Sequence, residues 1–375
     1  MALVLIAAVV TALVWLRLDP TRALWSALAV LVVACPCALS LATPAAVASA
    51  TAWLRRRGVS VRGEFGLLAA ADARTVLIDK TGTLTETTLA VGQITAIDSI
   101  SHERVLALSA ALQQVSSHPA ARAFHNIAPL PGVTDIEIVA GAGIRGYWQR
   151  SDGALNEVRL GSLSFISELA PDTPLPPDDD HYWVGLSDNG GWLAWIGLAE
   201  HLRPGVSDRL GRLKAMGYAV IIVSGDSQTR VAAVASQLAL PYQGAMTPRD
   251  KLDYLQQQQT AGNTVIAVGD GLNDAAFLGA ADASIAVAGA TALARAQADF
   301  VVTDNDFGRL VDIIGIARKA RTTMRQNLIW AAGYNVVGIP FAASGLVPPW
   351  AAALGMSISS LLVVVNALRL RRVSE

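Results

Sequence analysis

The sequence has little charge of either sign and almost no cysteine. Of its 375 residues 16% are charged, against roughly 25% in soluble domains, whereas 53% are hydrophobic and the mean hydropathy is +0.42. The two cysteines lie two positions apart, which excludes a disulfide-stapled secreted scaffold. A net charge of −1 provides no basic field for nucleic acid, so we expect no nucleic-acid partner. The composition argues against an ordinary soluble enzyme and predicts a chain that lies partly in a lipid bilayer.

Apolar residues are concentrated at the two ends of the chain. Residues 2–16, 23–54 and 326–368 carry no charge. A spanning helix needs roughly 20 apolar residues, so we predict four spans, at 2–16, 23–54, 326–345 and 349–368. A signal peptide is the competing interpretation of the first stretch, although no basic residue precedes it and no cleavage-like site follows.

Basic residues beside the predicted spans indicate the orientation of the chain. They form three clusters on one side of the membrane: Arg55, Arg56, Arg57 and Arg62; Arg318, Lys319, Arg321 and Arg325; and Arg369, Arg371 and Arg372. The positive-inside rule makes that side cytoplasmic. We therefore predict an integral membrane protein with both termini and the large central segment in the cytoplasm.

The central segment, residues 55–320, has the pattern of an α/β fold. Three runs rich in valine and isoleucine each end at a turn: 75–78 before Asp79, 219–223 before Ser224, and 265–268 before Gly269. Such runs, separated by helical stretches, predict a parallel sheet covered on both faces, with ligands beyond the carboxyl ends of its strands. The stretch between the first two runs is too long for one crossover and predicts an inserted domain, with a loop at Pro171–Asp180.

The string Asp79-Lys-Thr-Gly-Thr-Leu-Thr85 directly follows the first run. An aspartate at a strand end, surrounded by hydroxyls and backbone amides, suits a carboxylate nucleophile that forms an aspartyl phosphate. An aspartate in a tight turn is the alternative, and the length and placement of the string favour the nucleophile.

Two further strings would complete a phosphate site. Gly269-Asp-Gly-Leu-Asn-Asp274 offers carboxylates for Mg²⁺, although Asp-Gly is also a common turn. Ser224-Gly-Asp226 offers a hydroxyl and amides for phosphate oxygens. Lys251 offers a positive charge to balance the phosphoryl group, although an isolated lysine is usually a solvated surface residue.

Cys35-Pro36-Cys37 lies in the middle of the second predicted span. Proline interrupts helical hydrogen bonding, and two thiols beside the break form a soft site suited to Cu(I) or Zn²⁺. Two small core residues beside a helix kink are the alternative for an isolated pair.

The order of these motifs, CPC, DKTGTLT, HP, GxGxxG, SGD, PxxK and GDGxND, resembles the heavy-metal (type IB) P-type ATPases over essentially all 375 residues. The resemblance implies a multi-domain α/β membrane protein, with a haloacid-dehalogenase-like phosphorylation domain interrupted by an α+β nucleotide-binding domain. It implies that ATP phosphorylates Asp79, and that Asp79, Asp270 and the Thr81 carbonyl hold Mg²⁺. It places the remaining catalytic residues around the phosphate: Lys80, Thr81, Ser224, Gly225, Asp226, Lys251 and Asp274.

The resemblance also implies an adenine site in the inserted domain, formed by Gln113, His118, Pro119, Gly141 and Gly143. A lone His-Pro is more often a loop, and a lone GxGxxG is a weak signal. The sequence departs from the family at four places: Gln113 stands where a glutamate is usual, Ser117 replaces an acidic residue, Ala276 replaces a proline, and residues 288–293 lack the usual polar character.

The last two predicted spans favour copper as the cargo. By the resemblance, Tyr334, Asn335, Met356 and Ser359 join Cys35 and Cys37 as copper(I) ligands, ahead of zinc, cadmium or cobalt sites. Packing is the alternative role for the methionine, and interhelical hydrogen bonding for the asparagine and serine. The stretches SLATPAA and GMSISSLLVVVNALRL resemble the subgroup that supplies copper for cytochrome c oxidase assembly.

We predict five segments: 1–54 with two spans and the CPC site, 55–92 and 204–320 as the two parts of the phosphorylation domain, 93–203 as the nucleotide-binding domain, and 321–375 with two spans and a cytoplasmic tail. No Thr-Gly-Glu tripeptide occurs, so the chain resembles the C-terminal part of a pump without its actuator domain. We expect an actuator-containing N-terminal part and a cytoplasmic copper chaperone as partners.

The predicted function is ATP-driven translocation of copper(I) out of the cytoplasm, in a bacterial inner membrane. Two alternatives stay open at this stage. One is a copper-binding membrane protein that derives from a pump and does not itself transport. The other is a membrane-anchored aspartyl phosphatase.

Overall fold

The computed structural model describes residues 2–116, 118–149, 154–177, 181–271 and 274–372. Its helices are α1 Ala2–Leu18, α2 Pro20–Val33, α3 Cys37–Arg55, α4 Glu64–Asp72, α5 His102–Gln113, α6 Leu163–Ser167, α7 Val206–Ala215, α8 Gln228–Leu238, α9 Pro248–Thr260, α10 Ala275–Ala280, α11 Ala292–Gln297, α12 Gly308–Ala343 and α13 Pro349–Leu368. Its strands are β1 Val59–Val61, β2 Thr75–Asp79, β3 Thr85–Ala96, β4 Val133–Val139, β5 Gly143–Gln149, β6 Leu155–Gly161, β7 Tyr182–Asp188, β8 Gly191–Leu202, β9 Ala219–Val223, β10 Tyr242–Gln243, β11 Val265–Gly269, β12 Ala283–Ala286 and β13 Phe300–Val302. Ser117 and Asn273, singled out in the sequence, lie outside the described residues, as does the end of the predicted Pro171–Asp180 loop.

Helices carry the apolar ends of the chain. Two stretches, Pro20–Arg55 and Pro349–Arg372, are long and apolar enough to cross a membrane, and Val4–Leu18 is a shorter apolar helix. The predicted span at 326–345 falls in the C-terminal half of α12. Leu24, Val336 and Trp350 are 73%, 72% and 72% exposed, as expected for side chains that face lipid rather than water.

The second predicted span is two helices, because α2 ends at Val33 and α3 begins at Cys37. Pro36 lies in the break and has no N–H to donate, so helical hydrogen bonding is interrupted there. Helical pairing resumes where the Ser40 amide donates to the Pro36 carbonyl. The break that the proline predicts is therefore present, with Cys35 inside it and Cys37 as the first residue of α3.

The seven-stranded central sheet has the order β1-β13-β12-β11-β2-β9-β10. All its pairs are parallel except β1 with β13, which confirms the predicted parallel sheet. Its strands are covered on both faces: Val76 and Ile78 pack with α4, α7, α8 and α12, whereas Leu77 packs with α9, α10 and α11. Because β2 lies between β11 and β9, the turns that follow these three strands meet at one edge of the sheet.

The six-stranded second sheet is antiparallel, with the order β3-β8-β7-β6-β5-β4, and all of it is inserted between β2 and β9. The predicted boundary at residues 92 and 93 falls inside β3, so the inserted domain begins earlier than the sequence indicates. The reason is that the turn at Lys80–Leu84 leads straight into β3 without a linker. The sheet ends at Leu202, beside the predicted boundary.

Replacing Leu77 with alanine tests the packing of the central sheet. Leu77 is fully buried in β2, and we expect the free energy of unfolding to fall by about 2–5 kcal/mol, the usual cost of a buried leucine-to-alanine change. Leu175→Ala is the matched control, because Leu175 is 78% exposed and its loss should change stability by about 0.5 kcal/mol or less. Thermal unfolding of both variants in detergent measures the difference, and equal melting temperatures would contradict the packing.

Candidate active site at the edge of the central sheet

Asp79 ends β2 at the edge where three turns meet, and it is 5% exposed. The turn after it depends on Gly82, whose φ of +71° is a left-handed conformation that favours glycine. A Cβ on Gly82 would also collide with the Asp270 carboxylate, so the turn approaches the β11 loop closely. The motif thus brings the two aspartates of different strands together.

Lys251 lies between two carboxylates at this edge. Its Nζ lies 2.5 Å from Asp79 Oδ1 and 2.8 Å from Asp274 Oδ1, and all three residues are buried. The lysine is held at the start of α9 by a capping box of Thr247 and Asp250. Burial lowers the pKa of the Lys251 ammonium, but the two carboxylates outweigh it and the pKa is raised.

A third carboxylate, that of Asp270, completes the cluster. One oxygen each of Asp79, Asp270 and Asp274 lie within 4.8 Å of one another. Burial raises the pKa of Asp79 to about 7 and that of Asp270 to about 6, and the neighbouring Asp274 carboxylate contributes to both. Three crowded carboxylates face a single ammonium, so the cluster carries excess negative charge. Carboxylate oxygens are the ligands that Mg²⁺ prefers, and the donor set therefore fits a magnesium ion.

The predicted catalytic residues Lys80 and Asp226 contact each other beside this cluster. Lys80 Nζ lies 2.8 Å from Asp226 Oδ2 and 2.6 Å from Glu200 Oε2 of β8. Tyr182 of β7 donates its hydroxyl proton to Asp226 at 3.3 Å, and Arg230 stacks 3.8 Å above the Tyr182 ring. Burial raises the pKa of Asp226, but Lys80 outweighs it and holds that pKa below its usual range. This network joins the second sheet to the central sheet.

Ser224 and Gly225 form the bend between these groups. Ser224 is buried, its Oγ accepts from the Asp226 amide at 3.2 Å, and its carbonyl accepts from Met246. Thr81 is exposed on the Asp79 turn, whereas the Thr83 hydroxyl is buried without a hydrogen-bond partner in the described residues. An unpaired buried hydroxyl is costly, so Thr83 is a group that a phosphate oxygen could satisfy.

Two residues of this site were not identified from the sequence. Glu200 accepts from both Lys80 and the Thr85 hydroxyl, and Arg203 donates to the carbonyl of Gly82 on the Asp79 turn. Both lie at the end of β8, where the chain returns from the insertion. No motif marks them. The change of polarity at the end of a buried strand was the one local signal.

A cavity of about 430 Å³ opens on the second sheet, and it brings four of the predicted nucleotide residues together: Gln113, His118, Gly141 and Gly143. The Gln113 Oε1 is buried there without a hydrogen-bond partner among the described residues. His118 Nδ1 accepts from the Ala120 amide and caps the short helix that Pro119 begins, so the proline has a structural role in the backbone. Two further wall residues, Tyr182 and Trp183 of β7, were missed because aromatic residues in strands are usually core.

The glycines at the cavity are required for different structural reasons. Gly141 has a φ of +75° and open space beside it, so it can serve a turn or a ligand. A Cβ on Gly143 would collide with the Leu160 carbonyl of β6, and one on Gly146 would lie 2.9 Å from Leu112. Gly143 and Gly146 are therefore required by packing inside the sheet and against α5, and Gly143 also lines the cavity, where its ligand role stays a prediction.

The predicted cargo residues lie around the break between α2 and α3. Cys35 and Cys37 are joined as a disulfide, so metal binding by thiolates requires the reduced pair. The Sδ of Met356 on α13 lies 3.9 Å from Cys37 Sγ, and Tyr334 of α12 packs against Gly355, next to that methionine. The structure thus brings three sulfur atoms together.

The two remaining predicted cargo residues are Asn335 of α12 and Ser359 of α13. Ser359 is buried, and its hydroxyl accepts from the Trp330 indole at 3.2 Å, the interhelical hydrogen bond that was the alternative role. Asn335 is half-buried in α12, one residue from Tyr334. A second polar pair, missed in the sequence, links the same helices where Asn327 donates to the Val363 carbonyl and accepts from Asn366.

Comparison with known proteins agrees with this geometry. The model of the haloacid dehalogenase-like hydrolases matches residues 73–282, more than half of the chain, and the chain belongs to this class of hydrolases. The cation-transporting P-type ATPase B of Mycobacterium tuberculosis is 36% identical over 93% of this chain and 48% of its own length. The copper-exporting P-type ATPase of the same organism is 34% identical over 98% and 49%.

A solved zinc-transporting PIB-type ATPase in its E2.Pi state has a TM-score of 0.86 and 29% identity, covering 99% of this chain and 62% of that one. Together with the relatives, this makes the chain a member of the heavy-metal, PIB-type P-type ATPases. The chain spans about half the length of the curated relatives it matches.

Replacing Lys251 with methionine tests the charge balance of the Asp79 cluster. The variant leaves the buried carboxylates of Asp79 and Asp274 without their cation, and removal of one partner of a buried pair typically costs about 3–5 kcal/mol. The pKa of Asp79, already raised by burial, should rise further. When a carboxyl has a higher pKa in the folded than in the unfolded state, the free energy of unfolding of the protein falls as the pH increases toward the folded-state pKa. The loss of stability caused by Lys251→Met should therefore be larger at pH 8 than at pH 6.

Thermal unfolding at the two pH values measures this effect. Lys214→Met is the control, because Lys214 donates to the carbonyls of Leu238 and Ala239 and not to a carboxylate. Its deficit should not depend on pH. A Lys251→Met deficit that is equal at pH 6 and pH 8 would contradict the charge argument.

Proposed function

We propose that this chain is the ATP-dependent and metal-binding part of a pump that moves copper(I) out of the cytoplasm. The observation that carries the proposal is the cluster of Asp79, Asp274 and Lys251, all three buried, with the half-buried Asp270 beside them. A carboxylate oxygen of Asp79 attacks the γ-phosphorus of ATP and forms the new P–O bond. The bond between that phosphorus and the β,γ-bridging oxygen breaks, and ADP leaves with the electron pair.

The remaining groups at the edge of the central sheet prepare this transfer. Lys251 balances negative charge next to the attacking oxygen, and it is held there by Asp274 as well as by Asp79. Asp79, Asp270 and the Thr81 carbonyl would hold Mg²⁺, with the Asp274 carboxylate close enough to join them, and the ion would neutralise phosphate charge when bound. Thr83 and Ser224 offer hydroxyls, and burial of Asp79, Asp274 and Lys251 limits the access of water to the reacting carboxylate.

We propose that the cavity of the second sheet binds the adenine of ATP. Gln113 supports this assignment, because its unpaired Oε1 is an acceptor and the exocyclic amino group of adenine is a donor. Trp183 and Tyr182 give the cavity an aromatic wall against which a purine can stack. Tyr182 also reaches Asp226, so the cavity and the Asp79 cluster are connected through one side chain.

Copper(I) is the proposed cargo. Thiolate and thioether sulfurs are soft ligands that suit a monovalent copper ion, and Cys35, Cys37 and Met356 place three of them together. The name of the copper-exporting relative supports copper, whereas the structural neighbour is a zinc transporter. A charge inside the bilayer is costly, so its passage has to be coupled to phosphorylation of Asp79. Tyr334, Asn335 and Ser359 stay proposed ligands, and assignment to the oxidase-assembly subgroup stays a prediction.

We also propose that the chain is an integral protein of a bacterial inner membrane, with four spans and the two sheets in the cytoplasm. Basic clusters beside α3, α12 and α13 support this orientation. Hydrolysis of the aspartyl phosphate would depend on an actuator-containing N-terminal part, and copper delivery on a cytoplasmic chaperone.

Labelling with γ-³²P-ATP tests the phosphoryl transfer. We expect a hydroxylamine-sensitive label on the purified chain that needs Mg²⁺ and falls at least 100-fold in Asp79→Asn, because the amide is not a nucleophile. Asp98→Asn is the control, since Asp98 is exposed on the turn that follows β3 of the second sheet and is not part of the carboxylate cluster. Label that survives in Asp79→Asn would contradict the assignment. A label whose amount does not depend on copper would indicate an uncoupled phosphatase. If the folded chain took up no label, the remaining interpretation would be a copper-binding membrane protein.

Copper affinity tests the cargo site. We expect Met356→Leu to weaken Cu(I) binding about tenfold or more, a loss above about 1.4 kcal/mol, and to affect Zn²⁺ binding less, because thioethers prefer soft ions. The measurement is competition with a Cu(I) chelator on the reduced chain in detergent. Met324→Leu is the control, because Met324 is buried in α12 within the core of the central sheet. Equal effects of the two substitutions would contradict a copper role for Met356.

A further inference from the structure

A second polar cavity, of about 230 Å³, lies away from the Asp79 cluster, where α3, α7 and α12 meet. Its volume is far above the roughly 10–15 Å³ that one water molecule needs. The residues that carry the argument come from all three helices or their ends: Trp53 and Arg57, Arg209 and Arg212, and Arg309 and Lys319. We call it the basic cavity.

The acidic residues of the basic cavity neutralise only part of its positive charge. Asp312 lies 3.3 Å from Arg57 and 3.2 Å from Arg309, so it is shared by two arginines. Asp306, the other acidic wall residue, accepts from the Gly308 amide and lies 3.6 Å from Arg309. Arg309 also pairs with Asp304 at 2.8 Å. The carboxylates of this region therefore form their ion pairs with Arg57 and Arg309.

The other three cations of the basic cavity are Arg209, Arg212 and Lys319. Across residues 2–116, 118–149, 154–177, 181–271 and 274–372, none of the three has an ion pair or side-chain hydrogen bond. Arg209 is half-buried beside Gly308, whereas Arg212 and Lys319 are exposed at the mouth. Cations that line one cavity repel one another unless an anion lies between them. The cavity therefore has the charge and the space for an anionic group.

The position of the basic cavity indicates where that anion comes from. The candidate membrane stretch Pro20–Arg55 ends two residues before Arg57. Lys319 precedes the predicted span at residue 326 by about 10 Å of helix. Trp53, which is 7% exposed, forms part of the inner wall, with the Arg57 guanidinium 4.2 Å from its ring. In the orientation proposed above, the mouth therefore faces the cytoplasmic surface of the membrane, and the long side chains of Arg212 and Lys319 can extend toward the lipid headgroups.

We propose that the basic cavity binds the phosphate headgroup of an anionic lipid of the cytoplasmic leaflet, held by Arg209, Arg212 and Lys319. Basic pockets beside membrane helices are suited to such headgroups. The inference rests on the proposed membrane orientation and not on the copper or ATP assignment. The phosphate of the bound lipid would join α7, which packs on the central sheet, to α12, which continues into the membrane.

A bound headgroup would reinforce a connection that the protein already makes. Arg318 of α12 donates to the Met216 carbonyl after α7 and lies 4.4 Å from the Tyr218 ring. Lys319, the next residue, faces the basic cavity together with Met216. A lipid phosphate at Arg212 and Lys319 would thus add a second attachment between the base of the central sheet and the membrane helices.

Lipid titration monitored by native mass spectrometry tests the proposal on the full chain in neutral detergent. Phosphatidylglycerol and phosphatidylcholine with the same acyl chains are the probes. We expect one phosphatidylglycerol to bind at least tenfold more tightly than phosphatidylcholine. Arg212→Gln/Lys319→Gln should lower that affinity roughly 20- to 30-fold, given the usual contribution of two surface cations. Arg212→Lys/Lys319→Arg, which keeps both charges, should restore most of it.

The matched control is Arg325→Gln/Arg371→Gln, which removes two basic residues next to the predicted spans but outside the cavity wall. It should leave the affinity within about twofold. If the control lost as much affinity for phosphatidylglycerol as the cavity variant, the lipid would be attracted by basic residues in general and the proposed site would be wrong. Equal affinities for phosphatidylglycerol and phosphatidylcholine would also contradict the proposal. Inorganic phosphate and glycerol 3-phosphate that bind as tightly as the lipid would make this a soluble-phosphate site and the lipid assignment wrong. The ³²P label on Asp79 is read separately, so failure here leaves that test unaffected.

Discussion

The ammonium of Lys251 between the carboxylates of Asp79 and Asp274 is the interaction on which the candidate active site depends. Three carboxylates can lie this close in a buried place only because a cation, and a metal ion when bound, offsets their repulsion. That requirement explains why the lysine is fixed at the start of a capped helix and why Asp79 ends a strand buried along its whole length. The parallel order of β11, β2 and β9 then delivers the remaining polar groups to the same edge.

The second sheet is connected to this edge by buried charge as well as by the chain. Lys80 lies between Glu200 of the insertion and Asp226 of the β9 turn, so one ammonium contacts both domains. Tyr182 extends the connection to the wall of the proposed adenine cavity. Movement of the second sheet away from the central sheet would break these contacts at a cost, and ligand contacts in the cavity can offset that cost. Occupation of the proposed adenine cavity and access to Asp79 would therefore be linked through the same few side chains.

At the membrane side, α12 has the same connecting role. It packs on the central sheet through its first turns and continues into the apolar region, where its C-terminal half contacts α13. The broken helix at Cys35 and Cys37 lies beside Met356 of α13, so a change in the position of α12 or α13 can alter the sulfur site. The basic cavity lies at the start of this path, between α12, α7 and the end of α3.

The sequence by itself determined the apolar strands of the central sheet, their ends at Asp79, Ser224 and Gly269, and the broken helix at Pro36, because these features depend on residues close together in the chain. Only the tertiary structure decided the partners that come from afar. Glu200 and Arg203 reach the Asp79 turn across the whole insertion, Gly143 is needed by the neighbouring strand, and Ser359 pairs with Trp330. The start of the insertion was also misplaced, since β3 continues directly from the Asp79 turn. Local pattern specifies which groups end a strand, whereas packing between distant segments decides which of those groups meet.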